Sequence, residues 1–563
     1  MASIPVVVKH QGKKYDVEVD TSSPGEVFKF QLFSLTGVEP DRQKILVKGG
    51  QLKDDTDMSK LGLKPKQVLM MLGTPSGAGD LVRPTEPVKF IEDMTEAEAA
   101  QQQGATPAGL VNLGNTCYLN STLQTLRAIP ELQDALVKYQ PDTSTGRRFG
   151  TDVVADLRNL YKRMGETQES PEPIIFLNTL RNVFPQFAER SQSTGGYAQQ
   201  DAEEAWSQIV GQLRSNLKIV DANNDSVPFI DRYMTGRFSN VLKCDEETGE
   251  EPVSSEENFL KLNCHITGTT NHLTDGIANS LTEKIEKNSE ALGRETTFTK
   301  TSQISRLPKY LTVHFVRFFW RRDTQKKAKI MRKVTFPKEL DLVEFCTDDL
   351  KKMLIPIRDK VREIRKDEED VERSRKRRKV RDAADVAGGF GEPTGPTGRK
   401  KQREEEEKRK REEEEEEKKR KKRAADGDVE MQETYKTDAE IEAEKDAALL
   451  QAKKELSSLV SDDLRSDEGA NQSGLYDLRA VITHQGSSAD SGHYTAYVKK
   501  TAPVDPKTGK KGQEDGNWWW FNDDKISEVP GDKIETLAGG GETHSALILL
   551  YKAIDLPVAE AAE

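Results

Sequence analysis

The sequence predicts an α+β protein built from two folded units. Three observations carry that expectation. Residues 1–75 alternate apolar and polar positions in the order strand, strand, helix, strand, strand. A cysteine, Cys117, stands where a Gly/Asn-rich loop runs into an amphipathic helix. Far downstream, a strand-rich stretch holds a histidine directly after a glycine.

In the N-terminal unit, Ile4 to His10 and Lys13 to Val19 alternate as a hairpin, and Gly25 to Thr36 has the spacing of a helix. Gln43 to Val47 and Val68 to Leu72 are strand runs. This ββαββ order suits a β-grasp unit over residues 1–75. A linker at 76–104 leads to a second unit at 105–555, and 556–563 form a C-terminal tail.

Cys117 opens the second unit. A helix start leaves backbone N–H groups unpaired and carries partial positive charge, which favours a thiolate. Leu119, Leu123 and Leu126 give the helix one apolar face, and Asn115 or Thr116 can cap it. A lone cysteine is more often a small buried hydrophobe than a nucleophile, so a histidine partner decides the matter.

Seven histidines are available. His10, His265, His272, His314 and His544 lack a glycine-rich approach or sit within strand patterns, whereas His484 and His493 bracket a Gly/Ser loop at 485–492. His493 follows Gly492 and opens the strand run Tyr494 to Val498, which makes it the better base. If the Pro/Gly/Lys-rich stretch from Thr501 to Asn517 closes a hairpin with Trp518 to Phe521, His493 faces Asn522 or Asp523. A side-chain oxygen there would fix the imidazole tautomer.

The stretch Gly109 to Asn120 (Gly-Leu-Val-Asn-Leu-Gly-Asn-Thr-Cys-Tyr-Leu-Asn) resembles the cysteine box of the ubiquitin-specific proteases. Ser491 to Tyr497 with Trp520 to Lys525 resembles their histidine box. The resemblance implies a papain-like fold, with Cys117 as nucleophile, His493 as general base and acid, and Asn522 orienting the imidazole where many relatives carry Asp. Asp523 is a candidate assistant. Asn112, five residues before the nucleophile, matches the position whose amide helps form the oxyanion hole. Gln199 to Glu204 resembles a motif on a substrate-facing helix.

Residues 1–75 look like ubiquitin, most closely from Gln43 to Leu52, but the chain continues past Gly73-Thr-Pro, so the unit is expected to dock and not to be conjugated. Leu46 and Met71 lie near positions of ubiquitin's apolar recognition patch. The linker Phe90 to Glu98 and the run Ser305 to Phe319 are similar to proteasome-associated members of the family. The resemblance therefore implies ubiquitin and its conjugates as substrate, and the regulatory particle of the 26S proteasome as partner. It also implies loops at 319–332 and 485–491 that gate the site. A catalytically weak ubiquitin-binding scaffold is the rival reading, with Asn522 in place of Asp as its one hint.

Charged residues make up 32% of the 563-residue chain, and they concentrate at about 358–454. That stretch is expected to be a solvated insertion, disordered or partly helical. Arg375 to Lys379 has the composition of a nuclear import signal. A net charge of −11 opposes general nucleic-acid binding. No run of about 20 apolar residues occurs, which argues against membrane insertion and for a cytoplasmic and nuclear protein. The four cysteines, Cys117, Cys244, Cys264 and Cys346, form no Cys-x-x-Cys pair. Neither a structural zinc, which the broader family often holds, nor any cofactor is expected.

Overall fold

The computed structural model describes residues 3–558 apart from 11–12, 48–49, 74–105, 142–149, 192–194, 222–223, 247–249, 322–325, 388–437, 489–490, 503–511, 513 and 542. The chain divides into two compact units near residue 95. The linker at 76–104 and the last residues of the tail lie almost wholly outside the described residues.

In the first unit, β1 (Ser3–His10) and β2 (Lys13–Asp20) form a hairpin, followed by α1 (Gly25–Thr36), β3 (Lys44–Val47), β4 (Gly50–Gln51) and β5 (Gln67–Leu72). The sheet order is β2-β1-β5-β3-β4, with β1 and β5 parallel. Phe28 and Leu32 of α1 bury against Val6, Val8, Ile45 and Leu69. The four expected strands and the helix are present, and β4 adds an edge strand that was not expected.

Met71 does not belong to an exposed patch. It is 1% exposed and sits in the core, whereas Leu46, Val68, Met70 and Leu72 are 48%, 55%, 52% and 52% exposed. Side chains alternate along a strand, so a register one residue out exchanges the two faces. Met70 pairs directly with Leu46 across β3 and β5, and Met71 pairs with buried Ile45.

The second unit begins with five helices: α2 (Cys117–Arg127), α3 (Pro130–Lys138), α4 (Val153–Glu166), α5 (Ile174–Val183) and α6 (Ala202–Asn216). A short hairpin of β6 (Lys218–Val220) and β7 (Ser226–Pro228) and the turn of helix α7 (Phe229–Tyr233) lead into the strands. These are β8 (Gly236–Cys244), β9 (Val253–Phe259) and β10 (Leu262–His265), then α8 (Leu273–Ser280), β11 (Thr282–Asn288), β12 (Glu295–Arg306) and β13 (Tyr310–Val316). Strands β11, β12, β8 and β9 make a separate four-stranded sheet. Cys244 lies on it, and Cys264 lies on β10.

After β13 come β14 (Phe318–Arg321), β15 (Lys326–Lys329) and β16 (Glu339–Asp341), then the helices α9 (Asp348–Ala387), α10 (Asp438–Leu459) and α11 (Asp462–Ser466). The chain ends with β17 (Leu475–Ser488), β18 (Ser491–Lys499), β19 (Trp518–Asn522), β20 (Lys525–Val529), α12 (Asp532–Glu535) and β21 (Ser545–Ala553). The main sheet runs β10-β13-β21-β17-β18-β19-β20. Strand β21 is apolar on both faces, as a central strand covered on both sides must be. Ile548 and Leu550 face the helical half, and Leu549 and Tyr551 face a second core beneath α8 and α9.

At its ends the charged insertion is helical, within the expectation of a partly helical stretch, but it is not wholly solvated. Residues 358–387 continue α9, and 438–454 belong to α10. Leu354, Ile357, Val361 and Ile364 are buried, an i, i+3, i+7, i+10 stripe set among charges. Lys360 pairs with Glu455, Glu368 with Lys453, and Arg375 with Glu442 and Asp446, so the two helices run antiparallel. Residues 388–437 lie outside the described residues.

No helix among the described residues is long and apolar enough to cross a membrane. The anticipated gate at 319–332 contains the β14–β15 hairpin, which reaches β17 through the bridge between Ala328 and Ser488. The two segments expected to act as gates are thus joined to each other. Residues 322–325 and 489–490 lie outside the described residues.

Arg317, between β13 and β14, is fully buried. It donates to the carbonyl oxygens of Ala546 (2.8 Å), Arg332 (2.9 Å), Ala538 (3.1 Å) and Ile330 (3.3 Å).

Candidate active site

Cys117 is the first residue of α2 and is buried. Thr116 is the N-cap, but its hydroxyl does not cap the helix. It accepts from Leu113 N–H (2.9 Å) and donates to Asn112 Oδ1 (3.3 Å), fastening the preceding loop instead.

The helix start does not make a resting thiolate. Burial pushes the Cys117 thiol up to about 11, and the Asp523 carboxylate adds to the rise, against the backbone N–H groups of Tyr494, Tyr118 and Cys117 itself. The helix terminus favours the thiolate locally, whereas the tertiary desolvation is larger here.

Strand β18 packs against α2 and carries His493. The β18–β19 pairing follows the hairpin expected from sequence, with Ala496 opposite Phe521 and Lys499 opposite Trp518. His493 Nε2–H donates to Asn522 Oδ1 at 2.5 Å, which leaves Nδ1 as the basic nitrogen. Gly492 has φ +153°, and a Cβ there would lie 2.3 Å from Gln485 O and 2.4 Å from His484 Nε2, so the residue before the histidine must be glycine.

Asp523 takes a different place from Asn522. Its φ is +55°, and its carboxylate accepts from Asn112 Nδ2 (2.9 Å) and Asn120 Nδ2 (2.8 Å). Its carbonyl accepts from Leu110 N–H at 3.1 Å. Asp523 therefore ties the β19 turn to the loop and helix that carry the cysteine, while Asn522 meets the imidazole.

Asn112 is exposed, and its Oδ1 accepts from Gly114 N–H at 2.9 Å. One of its amide hydrogens goes to Asp523, and the other has no partner among the described residues. Asn120 was not legible as a site residue, whereas Gln199 opens the stretch expected on a substrate-facing helix and lies just before that helix, which starts at Ala202. Gln199 Nε2 lies 2.7 Å from Gly492 O and 3.9 Å from Cys117 Sγ. The backbone N–H of Tyr494 also reaches the sulfur. Tyr494 thus meets Cys117 directly and Gly492 is linked to it through Gln199, although no hydrogen bond joins His493 to Cys117 among the described residues.

His484, the other histidine of the bracket, is fully buried between Phe318 and Tyr494, and both ring nitrogens lack a hydrogen-bond partner among the described residues. Burial, then the Lys329 charge, pushes it down to about 3. His544 nearby is pushed down to about 4 by burial and then by His493. Lys329, itself pushed down to about 8 by burial, donates to His484 O at 2.7 Å.

These two histidines make stability fall with acid. Their folded values lie below the unfolded value, so the unfolded chain takes up protons first as pH falls below about 6.5. Each is expected to cost about 2 kcal/mol by pH 5 relative to pH 7. Urea unfolding at both pH values measures this, and in His484→Leu the pH 7 to pH 5 difference should shrink by about one such share. An unchanged difference would show that His484 is already protonated when folded.

Among the described residues no group of histidine, cysteine and carboxylate side chains has the arrangement of a metal site. The family model described as ubiquitin carboxyl-terminal hydrolase matches residues 108–551, and that of the ubiquitin family matches 6–76. The chain is 43% identical to ubiquitin carboxyl-terminal hydrolase 6 of Schizosaccharomyces pombe, over 98% of this chain and 99% of the relative. It is 37% identical to ubiquitin carboxyl-terminal hydrolase 7 of Arabidopsis thaliana, over 98% and 99%. It is 30% identical to ubiquitin carboxyl-terminal hydrolase 14 of Caenorhabditis elegans, over 98% and 94%.

Proposed function

The chain belongs to the ubiquitin carboxyl-terminal hydrolase family and is a thiol-dependent deubiquitinase, and we propose that Cys117, His493 and Asn522 perform its chemistry at the proteasome. The observation that carries the assignment is the hydrogen bond from His493 Nε2 to Asn522 Oδ1, beside a thiol that the N–H of Tyr494, the next residue, reaches.

His493 Nδ1 takes the thiol proton as sulfur attacks the carbonyl of ubiquitin's last glycine. The tetrahedral oxygen lies toward the Cys117 N–H and the second amide hydrogen of Asn112, which Asp523 holds in place. Collapse returns the proton from His493 to the leaving lysine amine and forms a thioester. Water, deprotonated by His493, then hydrolyses the thioester and frees Cys117.

A ubiquitin probe with a C-terminal electrophile should label the full-length protein and leave Cys117→Ala unlabelled. Labelling at full yield in that variant would place the nucleophile elsewhere.

The N-terminal unit is the docking module for the regulatory particle of the 26S proteasome, through Leu46, Val68, Met70 and Leu72. The exposed apolar face supports this, as does the resemblance to the proteasome-associated ubiquitin-specific protease 14. Such docking places the enzyme in the cytoplasm and nucleus, where it trims ubiquitin from bound substrates. Leu46→Asp or Met70→Asp should weaken proteasome binding by about thirtyfold and remove any stimulation of hydrolysis by proteasome. Met71→Asp should instead unfold the unit. Unaltered binding by both surface variants would exclude this face.

A further inference from the structure

We propose that Gln199 is a further catalytic residue, whose side-chain amide donates to the Cys117 sulfur while fastening the strand that carries His493. The inference rests on Cys117 being the nucleophile. Gln199 stands just before α6, whose N-cap Asp201 accepts from Glu203 N–H at 2.9 Å. Its neighbour Gln200 is buried, and Ala202, Ala205, Trp206 and Ile209 of α6 lie in the same core as α2. The backbone of Gln199 therefore belongs to the rigid helical half, yet its side chain crosses to Gly492 at the start of β18.

The amide nitrogen carries two hydrogens. One is taken by Gly492 O at 2.7 Å, and the nitrogen lies 3.9 Å from Cys117 Sγ, where the second can be donated. Gln199 is the side chain that the described residues place within hydrogen-bond reach of that sulfur; the other donors are backbone N–H groups.

A thiol is a weak acceptor and a thiolate a strong one. The contact is therefore worth most when the sulfur is charged, as it is during attack, and an interaction that strengthens along the reaction accelerates it. The 3.9 Å separation is long for a finished hydrogen bond, as resting catalytic contacts often are before substrate tightens them. A carboxylate cannot take this role, because Asp523 already acts on the thiol in the opposite sense. A neutral amide supplies donors without charge, and it leaves the imidazole free to hold the proton.

The test uses the full chain with Gln199→Leu and Gln199→Glu. The rate of Cys117 alkylation by iodoacetamide is followed against pH, with Cys117→Ala subtracting the other cysteines. Loss of a hydrogen bond to a charged acceptor should move the Gln199→Leu profile upward by about one pH unit and lower kcat by about ten- to a hundredfold. Gln199→Glu should move the profile further, since a carboxylate beside the sulfur opposes its ionisation. Ubiquitin affinity, measured in the Cys117→Ala background, should stay at the value found without the Gln199 change, and the thermal midpoint should fall by no more than the loss of the one hydrogen bond to Gly492 O entails.

An unaltered alkylation profile overturns the proposal even if kcat falls, because the residue would then act only by holding Gly492. A faster Gln199→Leu enzyme also overturns it, since the contact would then restrain the thiol. Failure of the nucleophile assignment is separate: the wild-type ubiquitin probe would label a residue other than Cys117.

Discussion

Replacing His493 by alanine is expected to lower kcat/KM for cleavage of a ubiquitin amide by about a thousandfold or more, with ubiquitin binding retained. The size follows from the thiol. With its value pushed up to about 11 by burial, only about one molecule in ten thousand carries a thiolate at pH 7. A base within the site must supply the rest. The same reasoning fixes a pH signature, because without His493 the rate depends on spontaneous ionisation and should climb about tenfold per pH unit between 7 and 9. Steady-state kinetics over that range measures both, and a loss of under tenfold at pH 7 would assign the base elsewhere. Asn522→Ala should fall between wild type and His493→Ala, because its oxygen fixes the imidazole through one 2.5 Å contact. Asn522→Asp preserves the acceptor and adds charge that favours imidazolium, so its activity should be retained.

Arg317→Leu is expected to destabilise the second unit by on the order of 4 kcal/mol. The guanidinium is fully buried and its donors satisfy four carbonyl groups contributed by Ile330, Arg332, Ala538 and Ala546. Burial pushes its own value down to about 10, yet it remains charged at neutral pH. Leucine fills much of the volume but leaves those oxygens without partners, at a cost of roughly 1–3 kcal/mol for each one that water does not reach. Arg317→Lys should recover only part of the loss, because an ammonium cannot match the fork of donors. Urea midpoints measure the order wild type, Arg317→Lys, Arg317→Leu, and a wild-type midpoint for the leucine variant would show that water replaces the guanidinium.

Features set by local pattern were legible in the sequence. The first unit was readable because each of its elements repeats an apolar period, and the approach of His493 to Asn522 was readable because a hairpin converts chain order into proximity. Met71 was misread because a patch on a strand depends on register, and one residue of slip puts a core side chain on the surface. The ends of the charged insertion were misread as wholly solvated because Ile357, Val361 and Ile364 are sparse among lysines and glutamates, so composition hid a buried helical stripe. Asp523 with Asn112 and Asn120, and Gln199 with Gly492, join positions hundreds of residues apart with no periodicity to announce them. The thiol was read as activated because a helix terminus is visible locally, whereas desolvation is a property of the whole fold.

The antiparallel pairing of α9 with α10 closes the long excursion of the chain between β16 and β17 onto itself. The ion pairs from Lys360–Glu455 out to Arg375–Glu442 bring residue 387 back toward residue 438 before the intervening chain is counted. The chain is thus handed back close to where it left, by ion pairs in which neither α2, which carries Cys117, nor β18, which carries His493, takes part.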